Sequence, residues 1–292
     1  LKTPFKLMQS VIQSMRVIRK VQPDVVLGMG GYASAPGGFA EWLMSKPLVL
    51  HEQNAVAGLS NRFLSVIANK VLSAFPGAFK NSDKYQVVGN PLRSDIISIE
   101  NVIPAEPSTT KKVLIVGGSL GAQILNTVVP QTVNQIKIQH LNVWHQTGKG
   151  NQASVLKSYQ QYGLSEEQIK VTEFIEDMAE AYRWADVVIC RAGALTVSEL
   201  AMAAKPAIFI PLPHAVDDHQ TKNATYLVAK GAAKLIPQKD FNGTSLAQML
   251  NSLFISDKVL QSMAKAAHNA AHADATVKVA QTCAQLVQKR VN

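Results

Sequence analysis

Asp186-Val-Val-Ile-Cys-Arg-Ala-Gly-Ala-Leu-Thr-Val-Ser-Glu199 is the stretch that decides the fold. Its opening, Asp186 followed by the apolar run Val187–Cys190, reads as a buried strand, Gly193 turns the chain, and a helix follows. Such a turn leaves backbone N–H groups without partners at the helix N-terminus, where the helix dipole adds positive partial charge. An anion such as a diphosphate suits that position. Thr196 and Glu199 are three apart and share a helix face. A carboxylate one turn into the helix accepts hydrogen bonds from two adjacent sugar hydroxyls, as in dinucleotide folds. The segment therefore reads as a seat for a nucleotide diphosphate. A helix cap followed by a solvated Glu is the competing reading.

The same strand–turn–helix rhythm extends in both directions. Apolar runs at 113–116, 143–145, 170–174, 187–190, 207–210 and 233–236 predict the strands of one series, with helical stretches between them. Upstream, short runs at 25–28, 48–51, 71–74 and 86–88 alternate with helical stretches near 37–43 and 59–68. Leu7, Met8, Val11, Ile12, Met15 and Ile18 recur at helical spacing, so 5–20 reads as an amphipathic helix. Two helical patterns, 256–272 and 276–289, form the tail. Residues 96–110 hold two prolines and little periodicity, which predicts a linker. The fold class is thus α/β: two doubly wound, Rossmann-like domains, 1–95 and 111–292, with an interdomain cleft at the strand carboxyl ends. The last helix is placed against the N-terminal domain. The first residue is Leu1, and the first series has only about four strands, so that domain reads as incomplete.

Bulk composition narrows the class. With 292 residues, 47% hydrophobic and 17% charged, the chain has material for about two globular domains. No apolar run reaches the roughly 18–20 residues of a membrane span. Cys190 and Cys283 are the only cysteines, and Cys190 lies inside an apolar strand, so a disulfide framework is not expected. No Cys/His spacing suggests zinc. The net charge is +9, and residues 1–95 carry 11 Lys and Arg against 5 Asp and Glu. An acidic partner of that first third is implied: a phosphate-bearing substrate or an anionic membrane. Nucleic acid is not expected, because no basic stretch interleaves with aromatics.

Six further strings carry candidate chemistry. Val113-Leu-Ile-Val-Gly-Gly-Ser-Leu-Gly-Ala122 resembles a dinucleotide fingerprint, but Ser119 replaces its second glycine and the next strand ends in His145-Gln-Thr-Gly148, without the ribose-binding acid. That excludes a dehydrogenase and leaves Ser119 able to donate to a phosphate. His51-Glu-Gln-Asn54 sets four polar residues at a strand end: Asn54 is a candidate for sugar hydroxyls, Glu52 for orienting a group or taking a proton. An Asx turn is the alternative there. Gly89-Asn-Pro-Leu-Arg93 ends in a guanidinium placed to clamp a phosphate, unless it is merely solvated. Gly28-Met-Gly-Gly-Tyr-Ala-Ser-Ala-Pro-Gly-Gly38 holds five glycines whose N–H groups suit a second diphosphate, or else forms a plain loop. Phe174-Ile-Glu-Asp-Met178 offers Ile175 backbone to a base edge, while Glu176 and Asp177 favour the next helix start over a metal. In Asp217-Asp-His-Gln220, Gln220 is the candidate for a sugar and the aspartates compete as caps.

In order along essentially the whole chain, these strings resemble the MurG family of glycosyltransferases; the match includes His51-Glu-Gln-Asn-Ala-Val-Ala-Gly58 and Cys190-Arg-Ala-Gly-Ala-Leu-Thr-Val-Ser-Glu199. The resemblance implies a GT-B-type fold and an inverting transfer of N-acetylglucosamine from UDP-N-acetylglucosamine to undecaprenyl-diphospho-N-acetylmuramyl-pentapeptide in peptidoglycan synthesis. It implies that Glu199 binds the ribose, Ile175 the uracil, Ser119, Arg93, Leu195 and Thr196 the diphosphate, and Asn54, Ala194 and Gln220 the sugar. Gly30, Gly31 and Tyr32 would face the acceptor's diphosphate. No cofactor is required, and a divalent metal can assist. Family members open with a Gly-Thr-Gly-Gly-His loop whose histidine is a proposed base; that string does not occur here, which predicts severely reduced turnover. Lys2, Phe5, Lys6, Leu7 and Met8, with Trp42, suit an anionic bilayer, placing the protein peripherally on the cytoplasmic face of the bacterial inner membrane. Cell-wall and cell-division proteins are implied partners. The alternatives are another UDP-sugar enzyme of this fold, such as a UDP-N-acetylglucosamine 2-epimerase, and an inactive UDP-sugar-binding scaffold.

Overall fold

In a computed structural model, residues 2–99, 109–118, 121–138, 140–213 and 216–291 are described. The elements run α1 (Lys2–Val21), β1 (Val26–Gly28), α2 (Ser34–Leu43), β2 (Leu48–Glu52), α3 (Leu59–Leu64), β3 (Lys70–Ser73), β4 (Tyr85–Val87) and α4 (Ser94–Ile97). After them come β5 (Thr110–Val116), α5 (Gln123–Thr132), β6 (His140–Gln146), α6 (Gln152–Gln161), β7 (Ile169–Thr172), α7 (Met178–Trp184), β8 (Val187–Cys190) and α8 (Ala194–Met202). The chain closes with β9 (Ala207–Phe209), α9 (His219–Ala229), β10 (Ala233–Leu235), α10 (Gly243–Leu253), α11 (Asp257–Asn269) and α12 (Ala275–Val291). Two compact units result: Leu1–Leu92 with His272–Asn292, and Arg93–Ala271.

The first unit holds a parallel sheet in the order β1-β2-β3-β4. Strand β2 is buried along its whole length, so alternate residues feed two cores. Leu48 and Leu50 pack with Leu64, Ala68 and Val71. Val49 instead joins Leu72, Val88 and Val279 of α12, with Cys283 and Leu286 against them. A strand covered on both faces is the reason 48–50 reads as a continuous apolar run and not as an alternation.

The second unit holds six parallel strands in the order β10-β9-β8-β5-β6-β7. The chain winds outward from β5 through β6 to β7, returns through α7, and winds the other way from β8. The order therefore reverses between β5 and β8, where Val116 pairs with Cys190. Open α/β sheets bind ligands outside the strand carboxyl ends at such a reversal. Local chemistry fixes the helix starts: Asn242 accepts from Ser245 N at 3.0 Å to begin α10, and Asp177 accepts from Glu180 N at 2.7 Å to begin α7.

The expected linker, 96–110, is corrected at both ends. Residues 94–97 form α4, with Ile96 and Ile99 buried, and Thr110 already belongs to β5. The prolines hid this, because one turn of helix carries too little periodicity to register. Residues 100–108 lie outside the described residues. The expected tail helix 256–272 ends at Asn269, and the division between units falls at Ala271.

Candidate functional site

Two glycine-containing turns leave the second sheet side by side at its reversal point. The first follows β5. Gly118 and Gly121 have φ of +83° and +73°, a region only glycine enters cheaply. A Cβ on Gly117 would lie 2.7 Å from Ala122 N, and one on Gly121 would overlap the carbonyl oxygen of Thr147. Gln146 ties this turn down: its Nε2 donates to the carbonyls of Gly118 at 3.1 Å and Glu173 at 2.8 Å. Asn126 Nδ2 donates to Thr147 O at 3.0 Å from below. Ser119 lies outside the described residues.

The second turn follows β8. Gly193 is the extended N-cap of α8 and supplies no side-chain cap, so the first-turn N–H groups depend on something other than a capping side chain. Arg191 does not point outward as a ligand group; its Nη1 donates to the carbonyls of Ile210 at 2.9 Å and Pro211 at 3.2 Å. Asn223 of α9 donates to Ala192 O at 3.2 Å, holding the turn from the other side. Leu195 is exposed, Ala194 is buried, and Thr196 and Glu199 are half-buried.

Glu199 is the electrostatic centre of this region. Burial pushes its carboxyl above the ordinary value, while the Tyr182 hydrogen bond and the nearby Arg93 guanidinium pull it back and Asp95 pushes it up. Tyr182 donates to Oε2 at 2.8 Å. Oε1 has no hydrogen bond among the described residues. Arg93 caps the short α4, which packs on α7 and α8, and sits 3.7 Å from Asp95 with its side chain half exposed.

Ile175 is buried, yet its backbone N–H and carbonyl have no partner among the described residues, which suits a group that reads an edge. Asp177 is spent on capping α7. In the 217–223 string Asp217 and Asp218 are left-handed; Asp218 is the N-cap residue of α9 without a side-chain cap hydrogen bond, and its Oδ1 accepts from Thr221 Oγ1 at 2.7 Å. Gln220 Oε1 accepts from Leu212 N at 2.8 Å, which commits the amide oxygen to the backbone.

The first unit has its own cluster. Glu52 is buried, and its oxygens accept from Asn54 N at 2.9 Å, Asn54 Nδ2 at 3.3 Å, Gly58 N at 3.1 Å and Asn61 Nδ2 at 2.8 Å. Of the two expected roles of Glu52, these contacts suit the orienting one: the carboxylate ties Asn54, Gly58 and Asn61 together. His51 is buried with Nε2 on Gly89 O at 2.9 Å, and burial holds its ring below the ordinary histidine value. Gly30 and Gly31 have φ of +80° and +79°, and a Cβ on Gly30 would lie 3.3 Å from Asn61 Nδ2. The glycine loop thus rests on the residue that also holds Glu52. Tyr32 at its tip is fully exposed. Among the described residues no three His, Cys, Asp or Glu gather as metal ligands.

The sequence did not single out Gln146, Asn61 or Tyr182. The first ends an apolar strand as Glu52 does and carried the same signal; the other two are helical polar groups whose partners are set only by tertiary packing.

Family models match both units: the glycosyltransferase family 28 C-terminal domain over residues 112–279 and its N-terminal domain over residues 1–73. A Colwellia psychrerythraea protein named UDP-N-acetylglucosamine--N-acetylmuramyl-(pentapeptide) pyrophosphoryl-undecaprenol N-acetylglucosamine transferase is 56% identical over 97% of this chain and 74% of its own. One of the same name from Shewanella frigidimarina is 52% identical over 99% of this chain and 79% of its own. The crystal structure of Acinetobacter baumannii MurG superposes with a TM-score of 0.87 at 40% identity, covering 97% of this chain and 79% of that one. The chain belongs to glycosyltransferase family 28 and, within it, to this N-acetylglucosamine transferase family. A Staphylococcus aureus MnaA–UDP structure shares the fold alone, with a TM-score of 0.68 at 17% identity.

Proposed function

We propose that this protein transfers N-acetylglucosamine from UDP-N-acetylglucosamine to an undecaprenyl-diphosphate-linked muramyl-pentapeptide, with inversion at the anomeric carbon. The observation that carries this reading is the pair of turns at the β5/β8 reversal with Glu199 one helical turn inside. Glu199 takes the ribose hydroxyls and the Ile175 backbone takes the uracil. The amides of Leu195 and Thr196, with Ser119 and Arg93, take the diphosphate; Asn54, Ala194 and Gln220 address the sugar. The loop of Gly30, Gly31 and Tyr32 receives the acceptor's diphosphate.

The acceptor hydroxyl oxygen attacks the anomeric carbon opposite the leaving group. The bond from that carbon to the UDP oxygen breaks, the hydroxyl proton passes to a base, and UDP departs with the electron pair. Helix-terminal amides and the Arg93 guanidinium stabilise the charge that builds on the diphosphate. The reaction read this way requires no cofactor, and a divalent metal can assist it.

No helix of the described residues is long and apolar enough to cross a membrane. Phe5, Leu7, Met8 and Trp42 are exposed in the first unit, and Lys6 is exposed among them. These residues, with Lys2, dock the protein peripherally on the anionic cytoplasmic face where the lipid acceptor resides. Proteins of cell-wall synthesis and division, which determine cell shape, are its expected neighbours there.

The test incubates the protein with labelled UDP-N-acetylglucosamine, with and without the lipid acceptor in detergent. Acceptor-dependent appearance of label in the lipid supports the reading. Conversion of the donor sugar without acceptor points to an epimerase, and UDP binding without either product points to a scaffold.

A further inference from the structure

We propose that Tyr182 is a positioning residue for the nucleotide's ribose: it holds Oε2 of Glu199 by a 2.8 Å hydrogen bond, so the carboxylate stays aimed with Oε1 open to the diol. This rests on the ribose reading of Glu199 given above and deepens it.

Tyr182 sits in the last turn of α7, in the crossover that carries the chain from β7 back to the reversal point. Its side chain is wholly buried, so the hydroxyl has been taken from water and needs a protein acceptor. The acceptor it finds is a residue of α8, seventeen positions further on. A glutamate has three side-chain torsions, and an unrestrained one spreads over several rotamers. Ordering that side chain on ligand binding costs affinity, which a contact already present in the free protein removes. One oxygen of Glu199 is thus fixed by the core, and the other has no partner among the described residues.

On balance burial raises the Glu199 carboxyl, and the groups that favour the ionised, accepting form are the Tyr182 hydroxyl and the Arg93 guanidinium. Glu199 is faced by Tyr182 from α7, by Arg93 and Asp95 from the start of α4, and by the buried thiol of Cys190 at the end of β8. Tyr182 and Arg93 favour the charge, whereas burial and Asp95 oppose it. A phenol held neutral by burial remains a donor throughout the working pH range.

The experiment compares UDP with 2′-deoxy-UDP by calorimetry on the full protein and on Tyr182→Phe, which keeps the ring and removes only the hydroxyl. Wild type is expected to prefer UDP. Tyr182→Phe is expected to lose roughly tenfold in UDP affinity, the scale of a hydrogen bond to a charged group, and to lose most of the preference. An equal loss for both nucleotides, or an unchanged preference, overturns the positioning role while the ribose reading stands. A wild type that binds the two alike overturns both. If Tyr182→Phe does not fold, 3-fluorotyrosine at position 182 serves instead: a stronger donor shifts the acid limb of UDP affinity to lower pH, and an unmoved limb overturns the proposal.

Discussion

Gly89 and His272 occupy adjoining space so tightly that a Cβ on Gly89 would overlap the Cβ of His272, with the ring's Cγ at 2.8 Å. Gly89 also has φ of +89° and offers its carbonyl to buried His51. One residue thus carries a left-handed turn, a close approach and the acceptor of a buried ring. Gly89→Ala should destabilise the protein by about 3 kcal/mol or more, combining overpacking and backbone strain. His272→Gly in the same chain should restore part of that loss, because the overlap goes and the strain stays. Urea unfolding of the three variants checks this; equal midpoints for Gly89→Ala and the parent protein would sink it.

Glu52→Gln is expected to cost about 2–3 kcal/mol, although the shapes match. The carboxylate accepts on both oxygens, from Asn54 on one and from Gly58 and Asn61 on the other. An amide must turn its NH2 toward one of those donor sets and leave them unpaired. The loop carrying Asn54 should then become protease-sensitive. Limited proteolysis that cuts mutant and wild type at one rate argues against the role.

Glu199 should make the unliganded protein less stable at neutral pH than its amide. Its folded value is raised above that of the unfolded chain, so the cost is fully present above the folded value. As pH falls through the window between the two, the native state takes up the proton first and the cost disappears. Glu199→Gln should therefore be the more stable variant at pH 7.5, with the advantage shrinking below the folded value, and should bind UDP more weakly. Unfolding midpoints at several pH values, paired with UDP titrations, test both halves.

Acid should destabilise the fold through its buried histidines. His145 is held to about 3 by burial, and His51 is lowered by the same cause. The unfolded chain protonates both near the ordinary 6.5, so stability falls as pH drops below 6.5 and keeps falling toward the folded values. His145→Leu should flatten that slope. It should also cost about 1–3 kcal/mol at neutral pH, because the Tyr159 hydroxyl, 2.8 Å from His145 Nδ1, loses its partner. A slope identical to wild type would count against this account.

Membrane docking should depend on the exposed start of α1. Phe5→Ser with Lys6→Glu removes an apolar anchor and reverses a charge at exposed positions. Sedimentation with vesicles rich in anionic lipid should fall several-fold while UDP affinity is kept. Undiminished sedimentation would move the docking surface elsewhere.

What the amino-acid order determined by itself is the rhythm of the fold. Runs such as 187–190 and 48–50 are apolar throughout because parallel strands are covered on both faces, and the glycine pairs after β1 and β5 (Gly30 and Gly31, Gly118 and Gly121) mark turns whose left-handed φ no other residue adopts cheaply. The same order placed Glu199 one turn into its helix, since spacing along a helix is fixed by its pitch. Tertiary structure alone decided what those groups have left to offer. Glu52 ends a strand and Glu199 lies one turn into a helix, and neither string tells how many of its oxygens are taken. One spends both oxygens on its own loop and the other keeps one open. The difference lies in Asn61 and Tyr182, partners from other elements, and hydrogen-bond capacity is used up by whatever packing brings near.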